Sequence, residues 1–298
     1  MKIDIAYGRR GLTINLPDGL PVTVIKPQAV RGVDDERTAI RNALRSPIRG
    51  PVLHEIAGSE DRVAIVFSDL TRPMPNDRAL PPLLDELTVA GVPNDQITLI
   101  NALGTHRPQS EEELAEMLGQ EITARYQIIQ HDAWSNDLVE VARNTAGHPV
   151  RVNRAYVEAP VRILTGFIEP HFFAGFSGGP KAVLPGIADI DSILDNHSGE
   201  KLADPKATWA VTEGNPVWEE MFAVAEGTEP TLLLNVTLNQ EREITGVFAG
   251  DMTSAHREGV AFAHETAMQP VSHAFDIVIT SNSGYPLDLN LYQAVKGM

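Results

Sequence analysis

The first twenty-five residues alternate apolar and polar side chains, as in Lys2-Ile-Asp-Ile-Ala6 and Leu12-Thr-Ile-Asn-Leu16, with Pro17-Asp-Gly19 reading as a turn. Alternation with period two marks a strand with one wet face, so this entry is predicted to be a small antiparallel β unit. Glu36 to Leu44 then has helical spacing. Beyond it the pattern changes character. Arg62-Val-Ala-Ile-Val-Phe67 is a short continuous apolar run, which suits a strand buried on both faces. Runs of the same kind recur at Ile97 to Ile100, Tyr126 to Ile129, Val161 to Leu164, Leu232 to Val236 and Phe275 to Ile279. Helical segments lie between them, among them Ala79 to Ala90, which closes at Gly91, and Ser110 to Leu118, which opens with the capping-box match Ser110-Glu-Glu-Glu113. Strands alternating with helices predict an α/β, Rossmann-like fold: a mainly parallel sheet flanked by helices, with a small antiparallel β entry at the N-terminus.

Ligands of such sheets collect at the carboxyl ends of the strands. Four polar loops fall there: Ser68-Asp69-Leu70-Thr71-Arg72, Gly104-Thr-His106, Glu169-Pro-His171 and Ser281-Asn-Ser-Gly284. The pattern predicts one crevice that they share. The densest chemistry lies in Gly166-Phe-Ile-Glu-Pro-His171-Phe-Phe-Ala-Gly175-Phe-Ser-Gly178-Gly-Pro-Lys181, which carries four glycines, one imidazole and one amine. Glycine loses more backbone entropy on folding than any other residue, so this density suits a backbone that closely approaches a bound group such as a phosphate. The plainer alternative is a Gly-Gly-Pro turn with Lys181 solvated.

Arg72 offers a planar fork for carboxylate or phosphate, and Asp69 either orients that fork, accepts from a ribose hydroxyl, or forms an internal ion pair that only fixes the loop. His106 and His171 end separate strands; imidazoles on two sides of one bound carbon can take a proton from one face and return it on the other. His197, in Leu194-Asp-Asn-His197-Ser, falls on or after the helix that follows Lys181, and neutral imidazole is a ligand for zinc, copper, iron or nickel. The remaining histidines (His54, His131, His148, His256, His264 and His273) are expected at the surface. Near the end of the chain Tyr292, Gln293 and Lys296 share one helical face.

Composition narrows the partners. Lysine and arginine total 24 against 40 acidic residues, a formal net charge of −16, which argues against nucleic acid or an anionic membrane surface. There are no cysteines, hence no disulfide framework and no thiolate chemistry. No run reads as a signal peptide or a membrane span, so a cytoplasmic location is expected.

Taken together, Ser68-Asp-Leu-Thr-Arg-Pro-Met-Pro75, Leu103-Gly-Thr-His106, Gly166 to Lys181, Asn196-His197 and Leu291-Tyr-Gln-Ala-Val-Lys296 resemble, in family order, the lactate racemase family of nickel-pincer nucleotide enzymes. The resemblance implies a racemase or epimerase that inverts C2 of a 2-hydroxy acid by proton-coupled hydride transfer to the cofactor. The cofactor is the Ni(II) complex of a pyridinium-3,5-bisthiocarboxylic acid mononucleotide. It would be tethered covalently to Lys181, with His197 as the protein ligand to nickel and Asp69, Leu70, Thr71 and Arg72 holding the nucleotide. His106 and His171 would be the acid/base pair, and Arg72, Tyr292, Gln293 and Lys296 would bind the substrate. It further implies cofactor-biosynthesis proteins as loading partners. The chain would be the N-terminal portion of a longer protein, with residues 1–280 as the cofactor- and substrate-binding domain and 281–298 beginning a hinge or second domain. Two other readings compete with it: a non-catalytic nucleotide- or anion-binding module, and a zinc hydrolase using His106, His171 and His197. The second lacks a carboxylate base in these motifs.

Overall fold

A computed structural model describes residues 1–281, 284 and 285. The chain divides into two compact units, residues 1–28 with 269–298, and residues 29–268. In the first unit β1 (Lys2–Ile5) pairs antiparallel with β2 (Leu12–Asn15), as the alternation predicts. The Arg9 guanidinium lies 3.5 Å from the centre of the Tyr285 ring, and Tyr285 N–H donates to Gly8 O. The Phe275 to Ile279 run is not a strand: Ile277 is 81% exposed and no ladder forms there among the described residues. An apolar run states that burial is favourable, but not which partner supplies it, and here the run does not join the sheet.

The second unit opens with α1 (Glu36–Arg45) and the single turn α2 (Leu53–Ile56). Then follow β3 (Val63–Ser68), α3 (Asn76–Val89), β4 (Ile97–Ala102), α4 (Glu111–Leu118), α5 (Gln120–Arg125) and β5 (Gln127–Gln130). A hairpin of β6 (Leu138–Arg143) and β7 (Pro149–Asn153) leads through α6 (Arg154–Glu158) to β8 (Val161–Phe167). After β8 come the two-residue strands β9 (Pro170–His171) and β10 (Gly175–Phe176), a 3-10 turn at Gly179–Ala182, α7 (Ile190–Asn196) and α8 (Gly199–Leu202). The unit closes with α9 (Pro216–Gly227), β11 (Leu232–Leu238), β12 (Ile244–Gly250) and α10 (Met252–Ala267). The capping box at Ser110 forms with both of its reciprocal bonds.

Six strands make one sheet in the order β12-β11-β8-β3-β4-β5, all parallel except the edge strand β12. Each inner strand is buried on both faces, with alternate residues feeding two cores. Ile65, Phe67 and Leu99 pack with α1, α3 and α4 through Ile40, Leu83 and Leu114. Val66, Ile100 and Leu233 pack on the other face with Tyr156, Val217 and Met221. From β3 the chain steps outward to β4 and β5, then returns to place β8 on β3's other side. The order therefore reverses between β3 and β8, the switch point where loops diverge and open sheets leave a crevice.

Candidate active site

The loop leaving β3 puts Asp69 at the end of the sheet, 2% exposed. Its carboxylate gathers three groups. The Thr71 hydroxyl donates at 3.0 and 3.1 Å to its two oxygens, His106 Nδ1 lies 2.7 Å from Oδ2, and Arg72 Nε lies 3.9 Å from Oδ1. An ionised carboxylate only accepts, so the neutral His106 ring carries its proton on Nδ1 and leaves Nε2 as the basic nitrogen. The arginine's terminal nitrogens make no hydrogen bond among the described residues, although the side chain is only 30% exposed.

The loop leaving β8 is built around His171, which is 7% exposed. Ala174 N–H donates to its Nδ1 at 3.2 Å, and its Nε2 lies 3.3 Å from Lys181 Nζ. The two histidines therefore meet different partners at Nδ1, a carboxylate for His106 and a backbone N–H for His171. Phe172 stacks on His171 at 5.1 Å, while Phe173 meets the ring edge-on at 4.6 Å and meets His197 edge-on at 5.0 Å. His171, Phe173, His197 and Lys181 thus form one cluster. The loop after β4 joins it where Gly104 N–H donates to Gly186 O at 2.9 Å, five residues beyond Lys181.

His197 ends α7, as the spacing predicts. Its Nδ1 is buried with no hydrogen-bond partner among the described residues. Burial, and after it the nearby Lys181, pushes the imidazole down to about 4, so it is neutral near pH 7 and able to ligate a metal. No group of three or more metal-ligating residues forms among the described residues, so the three-histidine zinc arrangement is not assembled there.

Three of the four loops that the sequence assigns to one crevice lie in the second unit. Ser281 and Gly284 belong to the other unit, and no strand among the described residues leads into them. Tyr292, Gln293 and Lys296 lie outside the described residues. Two histidines expected at the surface are buried instead, His131 at 2% and His256 at 4% exposure. His131 Nε2 bonds to Ala188 O and His256 Nε2 to Ser177 O, so each ring's polar edge is satisfied internally. Asn235 also belongs to the site's framework and drew no attention in the sequence, and Phe173 and Ser177 were given no role there. An asparagine inside Leu232-Leu-Leu-Asn-Val236 was the available signal.

Burial pushes His256 down to about 4 from 6.5. The native ring then stays neutral while the unfolded chain takes up a proton, so stability is whole above about pH 6.5 and falls as pH drops toward 4. We expect unfolding free energy to fall in that window by about 1.4 kcal/mol per pH unit for such a group. Urea titrations from pH 7.5 to 4.5 should show a shallower slope in His256→Gln; an unchanged slope would refute the assignment.

The lactate racemase N-terminal domain family matches residues 7–210, and the lactate racemase C-terminal domain family matches residues 271–298. The chain is 37% identical over 300 residues to a lactate racemase of Thermoanaerobacterium thermosaccharolyticum, covering 100% of itself and 70% of that protein. The chain belongs to the lactate racemase family. It is an isomerase, of racemase type. The lactate racemase of Lactiplantibacillus plantarum is likewise 37% identical over 301 residues, with the same coverage. The solved lactate racemase apoprotein of T. thermosaccharolyticum superposes with a TM-score of 0.87 at 36% identity, over 100% of this chain and 70% of that one. A Thermotoga maritima crystal structure shares the fold alone, at 22% identity and a TM-score of 0.67 over 79% of this chain and 60% of its own. The α/β fold with its antiparallel entry is the family's, and the apoprotein form implies a cofactor for the solved T. thermosaccharolyticum enzyme. Among the described residues no helix is long and apolar enough to cross a membrane.

Proposed function

We propose that this racemase inverts C2 of a 2-hydroxy acid, lactate being the acid named for its relatives, with a nickel-pincer nucleotide tethered to Lys181. The observation that carries the reading is the pairing of Lys181 Nζ with His171 Nε2 in one loop, joined to a second strand end where Asp69 holds His106. The residues fit such a cofactor. His197 offers a neutral imidazole with an orphaned buried nitrogen, and with no other metal-ligating cluster among the described residues, a metal there takes its other donors from the incoming group. A nucleotide carrying nickel through carbon and sulfur brings those donors itself, and imidazole suits nickel. Asp69, Leu70, Thr71 and Arg72 form the segment that would hold the nucleotide, and Arg72 the cation facing the substrate carboxylate in a chain of net charge −16. From the family resemblance alone we also propose that Gln293 and Lys296 bind the substrate carboxylate, with Tyr292 beside them.

When bound, that cofactor supplies reversible uptake of the C2 hydrogen with its electron pair. The protein's own contribution is proton transfer and orientation. His106 is held by Asp69 with Nε2 as a lone-pair nitrogen, ready to take the substrate's hydroxyl proton. His171, with its Nε2 beside Lys181, is the second proton-transfer group in this reading. Inversion needs a proton-transfer group for each face, and these two loops supply them. We also propose that residues 1–280 act as the cofactor- and substrate-binding portion, with 281–298 beginning a second one. Loading by cofactor-biosynthesis proteins in the cytoplasm completes the reading, and a chain without cysteine suits that compartment.

The test is intact mass and nickel content of protein co-produced with cofactor-making proteins. Wild type should carry one nucleotide adduct mapped to Lys181, and Lys181→Ala none. His197→Ala should keep the adduct and lose most of its nickel. An adduct on another lysine, or full nickel in His197→Ala, would sink the assignment.

A further inference from the structure

Two buried polar side chains that the proposed reaction does not use, Asn235 and His256, grip the loop that carries Lys181. Asn235 lies at 0% exposure within the apolar strand β11. A buried amide is costly unless it is hydrogen-bonded. Its Oδ1 accepts from Gly179 N–H at 2.8 Å and its Nδ2 donates to Leu234 O at 3.0 Å. From α10, His256 Nε2–H donates to Ser177 O at 3.0 Å.

Both side chains also fill the space that a larger loop residue would need. A Cβ at position 178 would lie 2.5 Å from Asn235 Oδ1, and one at 179 would lie 2.5 Å from His256 Cδ2. Gly178 and Gly179 adopt φ of +75° and +51°, so glycine is required there by conformation as well as by space. Ser177 is fixed in turn, its hydroxyl donating to Phe167 O and accepting from Glu169 N–H, both at 2.9 Å. Three consecutive residues just before Pro180-Lys181 are thus held from β8, β11 and α10.

We propose that Asn235 and His256 are positioning residues that hold the Ser177–Lys181 backbone in the one conformation that sets Lys181 Nζ against His171 Nε2. The proposal deepens the reading of Lys181 as the tether, yet its test needs neither cofactor nor turnover, so the two can fail separately.

The experiment compares cofactor-free wild type with Asn235→Leu, His256→Leu and His256→Gln. Amide hydrogen exchange is read at residues 177–181 with β3 as control, and the pH profile of Lys181 acetylation by acetic anhydride is read against exposed Lys2 and Lys206 by peptide mass spectrometry. The leucine variants should exchange about tenfold faster or more at 177–181 with β3 unchanged. Their Lys181 profile should converge on those of the exposed lysines. His256→Gln keeps an N–H donor and should restore the wild-type profile in large part. Gly179→Ala, pressing on the His256 ring from the loop side, should shift the profile the same way, and it serves where a leucine variant does not fold. A wild-type profile already matching Lys206, or loosened loops that leave the Lys181 profile unchanged, would overturn the proposal.

Discussion

Replacing His106 or His171 with glutamine is expected to lower racemisation turnover by about 10²–10⁴-fold, the usual scale for a positioned acid/base group. Both directions of the reaction should suffer, because each histidine is proposed to serve one face. Nickel content should stay near that of wild type, since His197 alone is proposed as the protein ligand. The His171 variant carries an added expectation. Its ring contacts Lys181 at 3.3 Å, so slower formation of the Lys181 adduct should accompany its loss of turnover, whereas the His106 variant should load normally. Initial rates from each enantiomer, with nickel and intact mass on the same samples, decide it. A His106 variant that turned over within threefold of wild type would remove that residue from the reaction.

The second large effect is expected at a residue that need not touch the substrate. Asp69→Asn keeps the size of the side chain and loses the charge. A carboxylate can only accept from His106 Nδ1–H, and the bond is 2.7 Å. An amide can instead donate to Nδ1, which places the ring's proton on Nε2 and removes the lone pair that should take the hydroxyl proton. Turnover should fall by about 10²–10⁴-fold, as when the carboxylate of a serine-protease triad is changed in the same way. The Michaelis constant should move far less. Thr71 loses a charged partner too, so Thr71→Val is read beside it, with adduct mass taken on both because this segment is also proposed to hold the nucleotide. If Asp69→Asn raised the Michaelis constant and spared turnover, Asp69 would be a binding residue and not an orienting one.

Much of this architecture could be read before any coordinates. Inner strands of a parallel sheet are apolar on both faces, so β3, β4, β8 and β11 stand out as short runs, and the Ser110 capping box places a helix start to the residue. That the loops bearing Asp69 and His106 meet was legible because polar residues at neighbouring strand ends converge by topology. What sequence periodicity does not encode is which surface will meet an apolar run, and Phe275 to Ile279 shows this. Edge strand β12, with two glycines and a half-buried middle, gave only a faint strand signal. His256 was misjudged for a different reason. It shares the buried stripe of α10 with Met252, Ala255, Gly259 and Ala263, spaced as one helical face, so the clue was its position among them and not its chemistry. Asn235 needed the reverse reasoning, a polar residue whose only justification is a partner distant in the chain.

The unlike frames around the two histidines bear on kinetics. Mirror-image acids have equal free energies, so their equilibrium constant is unity and kcat/KM must be the same for both on any racemase. That constraint leaves kcat and KM separately free. With the carboxylate of Asp69 against one ring and a backbone N–H against the other, the two histidines stand in unlike surroundings. The two enantiomers should therefore saturate it at different concentrations and turn over at different maximal rates, in compensating proportion.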